Sequence, residues 1–138
     1  MRGANCERAC LAGAILSEAN LEKANLREAA FQGSRRKAAR GESASLLGAR
    51  LSGASLEQAD LTGVNCAGAC FREANLRGAN LRGVNFARGD LQGADLRGAI
   101  LLEARALGNA CLEGALFDAR TRWTGWFDLR DRGGIFVE

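Results

Sequence analysis

Five cysteines carry the most intrinsic chemistry in this 138-residue chain, and four of them form two like-spaced pairs, Cys6-x-x-x-Cys10 and Cys66-x-x-x-Cys70. Short-spaced thiolates of this kind are what a metal centre or a disulfide framework would use. The remaining inventory for catalysis is thin. The chain has no His and no Tyr, so the commonest acid/base group and metal ligand is missing. Carboxylates such as Glu22, Glu28, Asp60 and Asp95 are spread singly, and no nucleophile–base pair, phosphate loop or carboxylate dyad stands out. Basic residues gather in two places: Arg35, Arg36, Lys37 and Arg40 in one stretch, and Arg77 and Arg97 twenty positions apart.

What positions these residues is a period of five. Counting from Cys6 to Leu101 in steps of five gives 20 positions, of which 13 are Leu, three are Phe and two are Cys; Arg36 and Gly41 are the exceptions. A second column, two places earlier, runs from Ala4 to Ala104 and is Ala at 17 of 21 positions. A helix face recurs every 3.6 residues and a strand face every two, so neither alone sustains a five-residue step. The chain must turn a corner at each repeat. Four corners close a square coil of about 20 residues, with coils stacked about 4.8 Å apart and paired backbone to backbone. The expected core is Leu11, Leu16, Leu21, Leu26, Phe31, Leu46, Leu51, Leu56, Leu61, Phe71, Leu76, Leu81, Phe86, Leu91, Leu96 and Leu101. The small Ala column fits near the corner. Gly two places after the centre suits a turn with unusual dihedrals, and Asn or Asp just before the centre suits turns and side-chain ladders.

The pattern also decides the cysteines. Cys6 and Cys66 fall in the inward column and Cys10 and Cys70 one place before a centre, outside. The members of each pair thus face opposite ways, and the expected role is small buried filler rather than metal ligation or a disulfide. The odd fifth thiol, Cys111, agrees with a reducing compartment.

These residues resemble the pentapeptide-repeat family, with its Ala-(Asn/Asp)-Leu-x-x unit. Clean instances are Ala19-Asn20-Leu21-Glu22-Lys23, Ala74-Asn75-Leu76-Arg77-Gly78, Ala79-Asn80-Leu81-Arg82-Gly83 and Ala94-Asp95-Leu96-Arg97-Gly98. The resemblance implies an all-β fold, a right-handed quadrilateral β-helix of about five coils over residues 1–119, closed by a short cap over 120–138. Phe117, Trp123, Trp126 and Phe127 are the residues expected to cap the last coil or to make a dimer contact. The ending resembles the C-terminal lid of many bacterial members, although Thr124 stands where those often have Pro.

Two irregularities interrupt the count. Residues 33–44 include Arg36 in a centre position, where a dry Leu core would not hold it unpaired. Either about ten residues protrude as a basic loop, which is the preferred reading, or two degenerate repeats stay in the wall. A loop would place Cys6 and Cys66 on opposite faces. After Asn109 the pattern resumes one residue late, which predicts a bulge near 105–109. At the other end no capping segment precedes Met1, a centre-column residue, so the first coil is expected to face solvent, to dock on another copy or to continue a longer protein.

Function is read from the outer walls, because a Leu-filled interior leaves no pocket. The expectation is a non-catalytic protein-binding or scaffolding module without cofactor or metal, whose partner is another protein. Arg35, Arg36, Lys37, Arg40, Arg77 and Arg97 are the candidate contacts, and a homodimer through the uncapped end is a further expectation. A stripe of Leu47, Ala67, Ala87 and Leu107 is a second candidate surface. Some bacterial members of the resembling family shield type II topoisomerases by mimicking duplex DNA, but such mimicry needs an acidic exterior and this chain carries +3. Direct nucleic-acid binding is disfavoured by the modest charge and the lack of aromatics among the basic residues. No run of 18 apolar residues occurs, so no membrane span is expected, and with no visible secretory signal the default location is the cytoplasm.

Overall fold

The computed structural model describes residues 1–31, 44–124 and 128–138. Its repeating event is a tight turn. Each centre residue accepts a hydrogen bond from the corner residue three places on, as in Ala49 N–H to Leu46 O at 2.9 Å and Ala54 N–H to Leu51 O at 3.0 Å. In the regular described repeats through Leu112 the residue two places after the centre has positive φ: 63° at Gly53 and Gly78, 67° at Gly83 and 69° at Gly98. Positive φ confined to the third residue of a four-residue turn is type II geometry. Eight positions in this column carry side chains all the same, among them Glu18 (58°), Gln58 (57°) and Arg88 (56°).

Between turns the chain pairs with the coils on either side. Leu51 N–H donates to Cys70 O at 2.7 Å, Gly53 N–H to Arg72 O at 2.9 Å, and Cys70 N–H back to Ala49 O at 2.9 Å. One N–H per repeat is left over, that of the residue after the centre. The Asn/Asp column takes it: Asn65 Oδ1 accepts from Ala67 N–H at 3.2 Å, and Asn75 Oδ1 from Arg77 N–H at 3.1 Å. With Asn or Asp in place, every backbone donor of a repeat is used. The same side chains also ladder, Asn25 Nδ2 to Asn5 Oδ1 and Asn85 Nδ2 to Asn65 Oδ1, both at 3.1 Å.

The parallel bridges sort the repeats into four walls. Wall A has centres Leu21, Leu51, Phe71, Leu91 and Leu112; wall B has Cys6, Leu26, Leu56, Leu76, Leu96 and Phe117. Wall C has Leu11, Phe31, Leu61, Leu81, Leu101 and Trp123, and wall D has Leu16, Leu46, Cys66 and Phe86. Regular strands are few: β1 (Ile100–Leu101), β2 (Leu116–Phe117), β3 (Arg122–Trp123) and β4 (Ile135–Phe136), with β1 parallel to β3 and β2 to β4. The expected all-β architecture is therefore realised mainly as single-residue bridges, because a turn interrupts each wall before a longer strand can form.

The described residues of the centre column from Leu21 to Leu101 and of the Ala column facing it are buried, and Phe71 and Phe86 meet edge to face with centroids 6.0 Å apart. Leu11 and Leu16, placed in the core by the sequence, point inward but are only half-buried, as is Cys6. Among the described residues nothing packs over that first turn of the coil.

Register records the two irregularities. Bridged residues stand twenty apart along most of the chain, but Ile15 pairs with Ser45, Asn20 with Arg50 and Asn25 with Ser55. The ladder thus skips ten residues between Phe31 and Ala44, which are joined as neighbours by Ala44 N–H to Phe31 O at 3.0 Å. The expected loop at 33–44 lies outside the described residues except for Ala44. Further on, Asn85 pairs with Arg105 but Asp90 with Cys111. One extra residue is absorbed by a 3₁₀ turn at Leu107–Asn109, entered through Ala106 at φ 55°. This is the bulge predicted from the late resumption.

Candidate functional site

Stacking residues twenty apart places Glu57, Arg77 and Arg97 in one outward column of wall B, and they line a cleft of about 240 Å³ with Gln58, Gly78, Gly98 and Arg120. Glu57, Arg77 and Arg97 each sit directly after a buried Leu (Leu56, Leu76 and Leu96), so the core fixes their height and direction. Arg97 is held by Asp95, with Nε at 2.8 Å and Nη2 at 2.5 Å from its carboxylate. Arg120 is held likewise by Asp118, at 3.1 Å and 2.9 Å. Glu57 pairs with Arg27 at 3.6 Å. Arg77 is the exception: exposed, it forms no ion pair among the described residues, although its charge contributes to keeping Asp95 ionised.

Asp118 ties the cleft to the segment that follows the coil. Its Oδ1 accepts from Gly98 N–H at 2.9 Å and Arg120 N–H at 3.0 Å, and Thr121 Oγ1 reaches Leu96 O at 3.0 Å. Burial opposes the charge on Asp118, but the Arg120 guanidinium and the N–H donors of Gly98 and Arg120 outweigh it and hold the carboxyl well below the usual carboxylate range. At Asp95, too, burial is overcome by the Arg97 side chain and N–H, which keep its carboxyl low.

The structure narrows the predicted basic surface. Arg77 and Arg97 do come together. Arg72 and Arg82, neighbouring basic residues in sequence, project from walls A and C and are paired with Asp90 at 3.3 Å and Glu103 at 2.6 Å. Arg35, Arg36, Lys37 and Arg40 lie outside the described residues. Arg120 was not foreseen. The signal was the one-residue slip: once counted, it puts Asp118 directly after the wall B centre Phe117 and brings Arg120 over Gly98.

The cysteines do not gather. Cys66 is fully buried, Cys6 and Cys70 are half-buried, and Cys10 and Cys111 are exposed. Cys6 and Cys66 lie on the opposite walls B and D. Burial pushes the Cys66 thiol far up, away from a reactive thiolate. Among the described residues no group of three His, Cys, Asp or Glu could hold a metal ion. Among the described residues no helix is long and apolar enough to cross a membrane.

Of the expected cap residues, Phe117 is buried and meets Trp123 edge-on at 5.5 Å and Phe136 at 5.6 Å. Trp126 and Phe127 lie outside the described residues. Leu129, buried among charged neighbours in sequence, joins the same cluster and was missed. The stripe on wall D keeps Leu47, Ala67 and Ala87, but Leu107 leaves it: the 3₁₀ turn carries that side chain into the core.

A family profile described as pentapeptide repeats matches in 8 copies over residues 1–35, 42–78 and 79–118. Among solved structures, the chain is similar to the pentapeptide repeat protein Rfr23 of the cyanobacterium Cyanothece 51142, at 32% identity over 77% of this chain and 65% of that one, with a TM-score of 0.45. It thus spans just under two-thirds of that relative. Alr5209, a pentapeptide repeat protein of Nostoc Pcc 7120, is 28% identical over 96% of this chain and 84% of its own, with a TM-score of 0.40. QnrB1, a plasmid-mediated fluoroquinolone resistance protein, is 16% identical over 99% and 76%, with a TM-score of 0.36. No curated protein matches the chain.

Proposed function

The chain belongs to the pentapeptide repeat family, and we propose that it is a non-catalytic module that binds another protein through the wall B cleft, taking an acidic side chain or segment. The observation that carries this reading is Arg77. It stands exposed between Glu57 and Arg97 in the column, with Arg120 on the coil beyond; Asp95 and Asp118 fix the heads of those two arginines, and Arg77 is the guanidinium of the cleft left without an ion-pair partner among the described residues. A guanidinium offers a planar fork of donors to a carboxylate, and orientation by a rigid wall lowers the entropy lost on pairing. The filled Leu and Ala interior and the scattered carboxylates support the non-catalytic part of the reading. A DNA-mimicking, topoisomerase-directed role asks for an acidic exterior, and the net charge of +3 argues against it.

The test is fluorescence anisotropy with a labelled oligoglutamate peptide at low salt, with a basic peptide and a duplex DNA as controls. Saturable binding of the acidic peptide, lost in Arg77→Glu and weakened by salt, is the expected result. Equal binding by Arg77→Glu and the parent, or preference for duplex DNA over the peptide, would overturn the reading.

A further inference from the structure

Wall D differs from the other three. Walls A, B and C all carry ion pairs, whereas no residue of wall D takes part in one among the described residues. Two large apolar side chains stand out from it instead, Ile15 at 85% exposure and Leu47 at 43%. Beside Leu47 the surface drops to Ala67, Ala87, Gly48 and Gly68, forming an open groove. A Cβ built on Gly68 would find only Gly48 backbone, its Cα at 3.9 Å, while the Glu18 carboxylate lies over Gly48, where a Cβ would meet its Cδ at 2.6 Å; the floor of the groove is thus glycine backbone with the Glu18 head resting on one end of it. At the two ends of the groove, in the column that holds these glycines, stand Glu18 and Arg88. Both are exposed and neither has an ionic partner among the described residues.

We propose that wall D is a contact between two copies of this chain, packed face to face with their coil axes antiparallel. The charges select this arrangement. A two-fold axis lying in the contact plane, midway between the turns bearing Gly48 and Gly68, lays each column on itself in reverse order. Glu18 then faces the partner's Arg88, Gly48 faces the partner's Gly68, and Leu47 enters the low ground at the partner's Ala67. Both ion pairs form at once because an isologous contact makes every interaction twice. A parallel two-fold would set Ile15 against Glu18 and leave both charges unmet. Glu18 and Arg88 are three coils apart, about 14 Å at the usual strand spacing, so the patch is small and belongs to the weak, reversible class of interfaces. Wall D lies opposite wall B, and the association therefore stands independently of the proposed cleft function.

Sedimentation velocity of the full chain from about 10 µM to about 1 mM at low salt tests this. A concentration-dependent monomer–dimer equilibrium is expected. Glu18→Arg or Arg88→Glu alone should raise the dissociation constant about tenfold or more, by setting like charges face to face, and the double exchange Glu18→Arg/Arg88→Glu should return it to near the parent value. Ala67→Arg, which fills the ground under Leu47, should abolish the dimer while circular dichroism stays unchanged. A chain that remains monomeric up to about 1 mM overturns the proposal. So does a dimer indifferent to these variants, which would place the contact on another surface such as the first turn, or a double exchange that fails to restore association.

Discussion

Substituting Gly83 with alanine isolates the conformational demand of the repeat from its packing. Gly83 sits two places after the centre of wall C at φ 67°. A methyl group built there would find Gly63 Cα at 3.9 Å and its N at 4.0 Å, both ordinary van der Waals contacts. No clash contributes, so the cost is that of holding an L-residue in the left-handed region, about 1–2 kcal/mol. Reduced freedom of the unfolded chain offsets about 0.4–1 kcal/mol of this. The net loss is about 0–1.6 kcal/mol, which for a chain of this size corresponds to a fall in Tm of up to roughly 6 °C. The reciprocal change, Gln58→Gly, relieves a side chain at φ 57° in the same column on wall B. It should leave stability unchanged or raise it by up to about 1 kcal/mol, glycine's own entropy cost taking up part of the relief. Urea unfolding followed by circular dichroism measures both. If Gly83→Ala stabilises the protein, or costs more than about 4 kcal/mol, the assignment of this column to strained turns in open space is wrong.

Three further outcomes follow from the same geometry. Leu76→Ala, in the fully buried centre column, should cost about 2.7–5 kcal/mol by cavity formation, while Leu16→Ala at the half-buried first turn should cost less than half of that in the same urea titration. Because the Asp118 carboxyl is held below its ordinary range, its contribution to stability is present above about pH 4 and is lost as the pH falls through the lowered value; melting curves of Asp118→Asn should therefore depend less on pH in the acid range than those of the parent. A thiol reagent such as Ellman's should label the exposed Cys10 and Cys111 in the native protein and reach Cys66, buried with a raised pKa, only after unfolding.

The regular part of this molecule could be read from residue types because each column has one physical duty. Leu and Phe fill, Ala clears the corner, Gly relaxes a left-handed turn, and Asn or Asp accepts the one N–H that the ladder leaves over. The periodicity likewise separated Cys6 from Cys10 and stacked Arg77 on Arg97. It did not show that Arg72 and Arg82 find carboxylates on the next coil of their own walls, Asp90 and Glu103, because these partners sit 18 and 21 residues away rather than in the twenty-residue stack. Leu107 broke its stripe for a related reason: a single inserted residue rotates the chain locally and swaps inside for outside. Arg120 and Leu129 belong to the segment after the last regular repeat, where position follows from hydrogen bonds to Asp118 and from aromatic packing around Phe117, neither of which has a count to follow.

The ladder between Phe31 and Ala44 closes as if nothing had intervened, although ten extra residues separate them in sequence. The scaffold therefore tolerates an insertion at a corner so long as the pattern re-enters in phase. Loop-closure entropy grows only with the logarithm of length, so a foreign peptide grafted at such a corner would leave the tube's rise and twist unchanged. Corners of this coil are thus natural display positions, spaced at intervals that a designer could choose by selecting which repeat to open.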